Sequence, residues 1–327
     1  DSIHPTITPP ANITIFANST CLATGLELGT PITDDNCNVA SVTNNAPFAF
    51  SSGTTTVVWT VTDTSGNVTT ANQTVTVIDT TNPTITAPPV VTVNAGSVCG
   101  ADASAIDFGV VTNDNCSVAS VVNNGPSLFP LGFSSITWTV TDGAGNTATL
   151  NQTIKVVDNS GPSIVPAADV VVTANAACGA TGVPLGTPIV SDNCTVSSTI
   201  NNAPTTYPIG VTEVTWTAVD ASGNVSTAIQ LVTVQDTTAP VITCVASSTI
   251  NKNNTTGICG YKVNGTEFNP TVTDNCLNPV LTHDFSSWPN SNSLSGATLP
   301  LGSTTIVWTA TDASGNTSTC SITVVVT

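Results

Sequence analysis

Ile136, Trp138 and Val140 alternate with Ser135, Thr137, Thr139 and Thr141, the period of two that sets one face of a β-strand into a core and the other into water. The alternation returns at Val57, Trp59 and Val61, at Val214, Trp216 and Ala218, and at Ile306, Trp308 and Ala310, with Gly53, Gly132, Gly210 and Gly302 each six residues before the Trp. Each copy runs into Asp-x-x-Gly-Asn, at 63–67, 142–146, 220–224 and 312–316. There the Gly supplies positive φ and the Asp carboxylate accepts backbone N–H groups, which predicts a hairpin into a second strand.

Four copies make this a repeat protein. The frame Asp-x-x-x-Pro at 1–5, 79–83, 158–162 and 236–240 sets the boundaries, giving units 1–78, 79–157, 158–235 and 236–327. In the first unit, strands are predicted over 12–17, 21–28 and 39–44, then the Trp strand, then 73–78. Short strands separated by Gly, Pro, Asn and Asp, without helical periodicity, predict an all-β tandem array of four immunoglobulin-like β-sandwiches. The turn Asn-Asn-Ala/Gly-Pro at 44–47, 123–126 and 201–204 is replaced in the fourth unit by an insertion, 278–299, that carries Trp288 and His283. Between Val77 and Pro83 there is no Gly/Ser spacer, and Pro restricts both itself and the residue before it, so an extended rod is expected.

Among 327 residues the bases are Lys155, Lys252 and Lys262, against 20 acids and a net charge of −17. Nucleic acid is excluded as a partner on that balance, since phosphate binding rests on clustered Lys and Arg. No apolar stretch is long enough to span a membrane, and the start lacks the regions of a signal peptide, so a mature or excised segment is expected. Ten cysteines at recurring positions point to disulfides formed in an oxidising compartment, and hence to an extracellular or cell-surface location. The spacings Cys21/Cys37, Cys99/Cys116, Cys178/Cys194 and Cys259/Cys276, 16 or 17 residues apart, make one local bridge per unit the economical pairing. Cys244 shares a face with Ile242, and Cys320 with Ile322 and Val324, so a core bridge between those two strands is feasible.

Acids recur before each boundary Pro, before Asn-Cys and after the Trp strand. In an immunoglobulin-like topology these three places meet at one pole, so Asp79, Asp114 and Asp142 converge, as do Asp158, Asp192 and Asp220, and Asp236, Asp274 and Asp312. Clustered carboxylates with amide and carbonyl oxygens suit Ca²⁺. The alternative is that each Asp caps its own turn. No catalytic constellation is present: His4 and His283 lie in different units, and no Ser-His-Asp, HExxH or Glu pair repeats. Asn67, Asn115, Asn193 and Asn224 head N-glycosylation sequons, which an Asn- and Thr-rich chain also generates by chance.

Phe129-Pro-Leu-Gly132, Tyr207-Pro-Ile-Gly210 and Leu299-Pro-Leu-Gly302, each leading into the Trp strand and Asp-x-Ser/Ala-Gly-Asn, resemble the hyalin repeat, an immunoglobulin-like extracellular module. Unit four is most similar to it, because Cys244 and Cys320 match the family's bridge between first and last strands. Thr- and Asn-rich arrays with Asp-Asn-Cys are further similar to the giant surface adhesins of the Bacteroidetes, including the SprB class used in gliding. That resemblance implies O-glycosylation at Asp-Ser/Thr sites, here Ser2, Thr80 and Thr237. It implies a non-enzymatic, structural and adhesive segment of an extracellular filament or stalk, with a surface polysaccharide or other cell-surface ligand and further repeats of the same chain as partners. The rival is a glycan-binding or spacer array of a secreted polysaccharide-degrading protein, which an exposed aromatic cluster on the 278–299 insertion favours.

Overall fold

A computed structural model describes residues 1–327. The chain divides into two compact units, Asp1–Asn159 and Ser160–Thr327, each holding two repeats of one strand plan. In the first repeat Gly53–Asp63 and Val68–Ile78 form the long hairpin. Val39–Asn44 pairs antiparallel with the outer edge of Gly53–Asp63, and Ile13–Phe16 runs parallel along Val68–Ile78. This four-stranded sheet faces two short ribbons, Thr6–Thr8 with Ile32–Asp34 and Leu22–Thr24 with Ala49–Ser51. The same sheet order recurs around the hairpins Gly132–Asp142/Thr147–Val157, Gly210–Asp220/Val225–Gln235 and Gly302–Thr311/Thr317–Val326. The architecture is all-β and sandwich-like in every repeat.

The period of two becomes burial directly. Val57, Trp59, Val61, Ile136, Trp138, Val140, Val214, Trp216, Ala218, Ile306, Trp308 and Ala310 are all buried. Gly53, Gly132, Gly210 and Gly302 adopt φ of 93 to 110°. There the chain leaves a short ribbon strand and enters the long hairpin strand by a left-handed step that a Cβ disfavours.

Several strands differ from expectation. The second hairpin strand runs Val68–Ile78, five residues earlier than predicted, because each hairpin closes immediately after the Asn of Asp-x-x-Gly-Asn. The expected 21–28 strand is only Leu22–Thr24. Thr6–Thr8, Ile32–Asp34 and Ala49–Ser51 were not anticipated, since three residues carry too little periodicity to register.

One core feature went unread in the sequence. Gln73, Gln152 and Gln230 are at most 1% exposed and sit on the core face of the second hairpin strand. Each accepts a hydrogen bond from the indole of its repeat, Trp59, Trp138 and Trp216, at 2.9–3.0 Å. Each also donates through Nε2 to two loop carbonyls: Ala11 and Leu28, Pro88 and Phe108, Ala168 and Leu185. A buried amide is tolerable only when so satisfied. The fourth repeat has Ile322 at this register position, opposite Ile306, and the Trp308 indole N–H has no partner.

The fourth repeat compensates with a larger core. Phe268, Leu294, Ala297 and Leu299 are buried, and Phe285 and Trp288 pack against them. The insertion therefore fills its own sandwich, and Trp288 is not part of an exposed aromatic platform. His283 is fixed by Phe285 N–H donating to its Nδ1 and by its Nε2–H donating to Asn290 O.

Candidate metal centre

The carboxylates expected to converge in the first compact unit do so. One carboxylate oxygen from each of Asp79, Asp114 and Asp142 lies within 4.8 Å of the others, with Asp79 and Asp142 buried. Asp79 leaves the last strand of the first repeat, Asp114 follows Val111–Asn113, and Asp142 ends the Trp strand. All three stand at the entry pole of the second repeat.

Turn capping and convergence are both present. Asp142 is committed to its hairpin: Oδ1 accepts Ala144 N and Asn146 N, and Oδ2 accepts Asn146 Nδ2. Burial pushes its carboxyl up, but these bonds, led by the Asn146 side chain, outweigh that and hold it below the ordinary aspartate value. Asp63, Asp220 and Asp312 repeat this balance with Asn67, Asn224 and Asn316. Asp114 Oδ2 caps Cys116 N and Ser117 N, and Asp79 Oδ1 accepts Thr81 N. What remains is a set of buried oxygens without partners: Asp79 Oδ2, Asp114 Oδ1 and Asn115 Oδ1. Buried acceptors left orphaned beside like charges are costly, and oxygens of this kind have the chemistry of hard-cation ligands.

In the second compact unit the pattern returns with one difference. Asp236 and Asp274 are grouped with Cys276 Sγ within 4.8 Å, and Asp236 Oδ2, Asp274 Oδ1 and Asn275 Oδ1 are again unpartnered. Asp312 serves its hairpin, and its Asn316 donates to Asp236 O. Asp192 Oδ2 caps Cys194 N and Asp220 caps Ser222 N and Asn224 N, while Asp158, near the end of the first compact unit, is buried. A further trio from the same recurring acids, Asp1, Asp35 and Asp63, stands at the entry pole of the first repeat, where no ligand set was expected from the sequence.

The cysteines correct the local pairing. Cys21 bonds Cys116 across 95 residues, so neither 21–37 nor 99–116 exists. Cys178 is a thiol and Cys194 is disulfide-bonded, which excludes 178–194, and Cys259 and Cys276 are both thiols. The reason is topological. Cys21 stands in the turn at the exit pole, beside Ala17, which donates to Ile78 O. Cys37 follows Asp34, which pairs with Thr6, and precedes Val39, which pairs with Asp63, at the entry pole. Sixteen residues carry the chain across the sandwich, so Cys21 meets the Asp-Asn-Cys loop of the following repeat instead. On the chain-entropy estimate, closing so long a loop stabilises by about 4–5 kcal/mol. The Cys244–Cys320 bridge is present, joining the first and last strands of the fourth repeat over its core.

Asn115 completes the first junction: its Nδ2 donates to Asn18 O of the first repeat and to Asp79 Oδ1. Burial, then the Cys178 thiol and the Asp236 carboxylate alongside, push the Cys276 thiol up to about 12. Ser2, Thr80 and Thr237 are all exposed.

Residues 235–326 match the HYR domain. Hyalin of Strongylocentrotus purpuratus is 30% identical over 99% of this chain, and hyalin of Lytechinus variegatus 29% identical over 91%. The chain spans 28% and 59% of the length of these two relatives. Among solved structures, protocadherin gamma B2 extracellular cadherin domains 3–6 align over 99% of both chains at 11% identity, with a TM-score of 0.35. Drosophila N-cadherin EC1–4 covers 97% of this chain and 99% of its own at 10% identity, with a TM-score of 0.30. The domain match in the fourth repeat and the hyalin alignments along nearly the whole chain support HYR-type repeats.

Proposed function

We propose that this chain is a structural and adhesive repeat segment of an extracellular, cell-surface filament or stalk, in which Ca²⁺ held by junction carboxylates fixes successive repeats to each other. The observation that carries the reading is the convergence of Asp79, Asp114 and Asp142 with the unpartnered oxygens Asp79 Oδ2, Asp114 Oδ1 and Asn115 Oδ1. Asp79 and Asp114 would hold the ion, with Asn115 as a neutral oxygen donor and Asp142 adding charge while it keeps its turn. The ion would neutralise carboxylates that otherwise repel at the point where the second repeat begins. The cross-repeat disulfide and the Asn115–Asn18 bond act on the same joint.

A segment with stiff joints and no reacting constellation serves as a spacer or contact surface. Its partners on this reading are further repeats of the same kind and a surface polysaccharide or other cell-surface ligand. Placement on a gliding adhesin, with O-glycans at Ser2, Thr80 and Thr237, rests on the sequence resemblance and on the exposure of those three residues. Isothermal titration of the chelator-stripped chain with Ca²⁺ tests the joint: saturable binding that weakens at least tenfold in Asp79→Asn/Asp114→Asn supports it, and no binding heat refutes it.

A further inference from the structure

The joint between the third and fourth repeats reproduces four contacts of the one between the first and second. Cys21 N donates to Asn18 O, and Cys178 N to Asn175 O, both at 3.0 Å. Cys21 and Cys178 hold φ of 62° and 57°, a left-handed conformation uncommon for a residue with a Cβ and a sign that the surroundings impose it. Across the first joint, Asn115 Nδ2 donates to Asn18 O; across the second, Asn275 Nδ2 donates to Asn175 O. Asp114 Oδ2 caps Cys116 N, and Asp274 Oδ2 caps Cys276 N, each at 2.9 Å. The sulfurs differ: Cys21 and Cys116 are bonded, whereas Cys178 and Cys276 are thiols lying beside each other.

We propose that Cys178 and Cys276 are a disulfide site, and that the mature protein carries a second cross-repeat bridge there, tying the third repeat to the fourth as Cys21–Cys116 ties the first to the second. The chemistry is a two-electron oxidation of two thiols. A disulfide-bearing oxidant, such as oxidised glutathione or an oxidoreductase with an exposed disulfide, exchanges with one cysteine to give a mixed disulfide, which the other cysteine resolves. The S–S bond forms, two protons leave the thiols, and the oxidant departs as two thiols. Cys178 and Cys276 are half-buried residues, in contrast to exposed Cys37 and Cys259, which makes the closed bridge the form that persists once made.

This inference is independent of the Ca²⁺ reading, because the bridge is mapped without metal. The whole chain is oxidised with a glutathione redox couple, blocked with iodoacetamide, digested with pepsin at acid pH to prevent exchange, and mapped by mass spectrometry without reduction. The expected result is a linked peptide pair containing Cys178 and Cys276 that disappears on reduction. In Cys178→Ser one additional alkylated residue should appear, at Cys276, and the reverse in Cys276→Ser. A peptide joining Cys178 to Cys194 or Cys276 to Cys259 overturns the assignment, as does full alkylation of Cys178 in oxidised chain whose Cys21–Cys116 bridge is intact.

Discussion

Gln152→Leu replaces a buried amide by an apolar side chain of similar size, so its effect measures the Trp–Gln network and not a cavity. Gln152 is 1% exposed, accepts from Trp138 Nε1 at 2.9 Å, and donates to Pro88 O at 3.0 Å and Phe108 O at 2.8 Å. Three hydrogen bonds at a net of about 1 kcal/mol each set the loss near 3 kcal/mol. The buried indole N–H adds about 1 kcal/mol for being left without a partner. Leucine recovers about 1 kcal/mol through added apolar burial. The second repeat should therefore lose about 2–4 kcal/mol, moving its transition down by roughly 10–30 °C on the scale for domains of this size. Differential scanning calorimetry of the whole chain reads this as one displaced component. The reciprocal change, Ile322→Gln, gives the unpartnered Trp308 N–H an acceptor and should be far better tolerated than a new buried amide ordinarily is. If Gln152→Leu melts within about 1 °C of the parent chain or above it, the network is not what holds the loops of 88 and 108 to the core.

Trp138→Ala should cost about 3–5 kcal/mol, confined largely to the second repeat, with the calorimetric component of the fourth repeat unmoved. Cys21→Ser should destabilise the first compact unit by about 4 kcal/mol on the loop-closure estimate, read by urea unfolding, and leave Cys116 open to alkylation. The hairpin aspartates Asp63, Asp142, Asp220 and Asp312 have pKa values lowered by folding. Their stabilisation is complete above the unfolded aspartate value and is lost as pH falls through the lower folded one. Circular dichroism should show stability holding to about pH 4 and declining below it, and Asp142→Asn should flatten that decline.

Much of the fold is written in the alternation of the Trp strand, because a strand with one buried face must repeat every two residues. Val57, Trp59 and Val61, and their three counterpart sets, were legible for that reason. Gln73 was less so: it lies in phase with Val75 and Val77, but a polar residue in a Thr-rich strand reads as solvent-facing unless its recurrence fourteen residues after each of three Trp is noticed. The convergence of Asp79, Asp114 and Asp142 was readable because topology alone brings the linker, one loop and the hairpin to a single pole. Pairing of the recurring cysteines was not, since a 16-residue interval says nothing about which end of a sandwich each sulfur occupies, whereas the shared core faces of Cys244 and Cys320 did point to their bridge. Cys21 and Cys37 stand at opposite poles, and the strands between them are too short to show it. The packing of half-buried Trp288 against its core depends on how the fourth repeat folds its insertion, which one sequence does not encode in any local pattern.

The central claim is that the orphaned oxygens at the repeat junctions belong to a cation. Calorimetric melting of the chain in millimolar Ca²⁺ and in chelator tests it most directly, since a ligand bound only to the folded state at a hundred times its Kd adds about 2.7 kcal/mol. The account predicts a melting temperature that climbs with the logarithm of Ca²⁺ concentration in the parent chain and does not respond in Asp79→Asn/Asp114→Asn. Identical melting curves in Ca²⁺ and in chelator would contradict it.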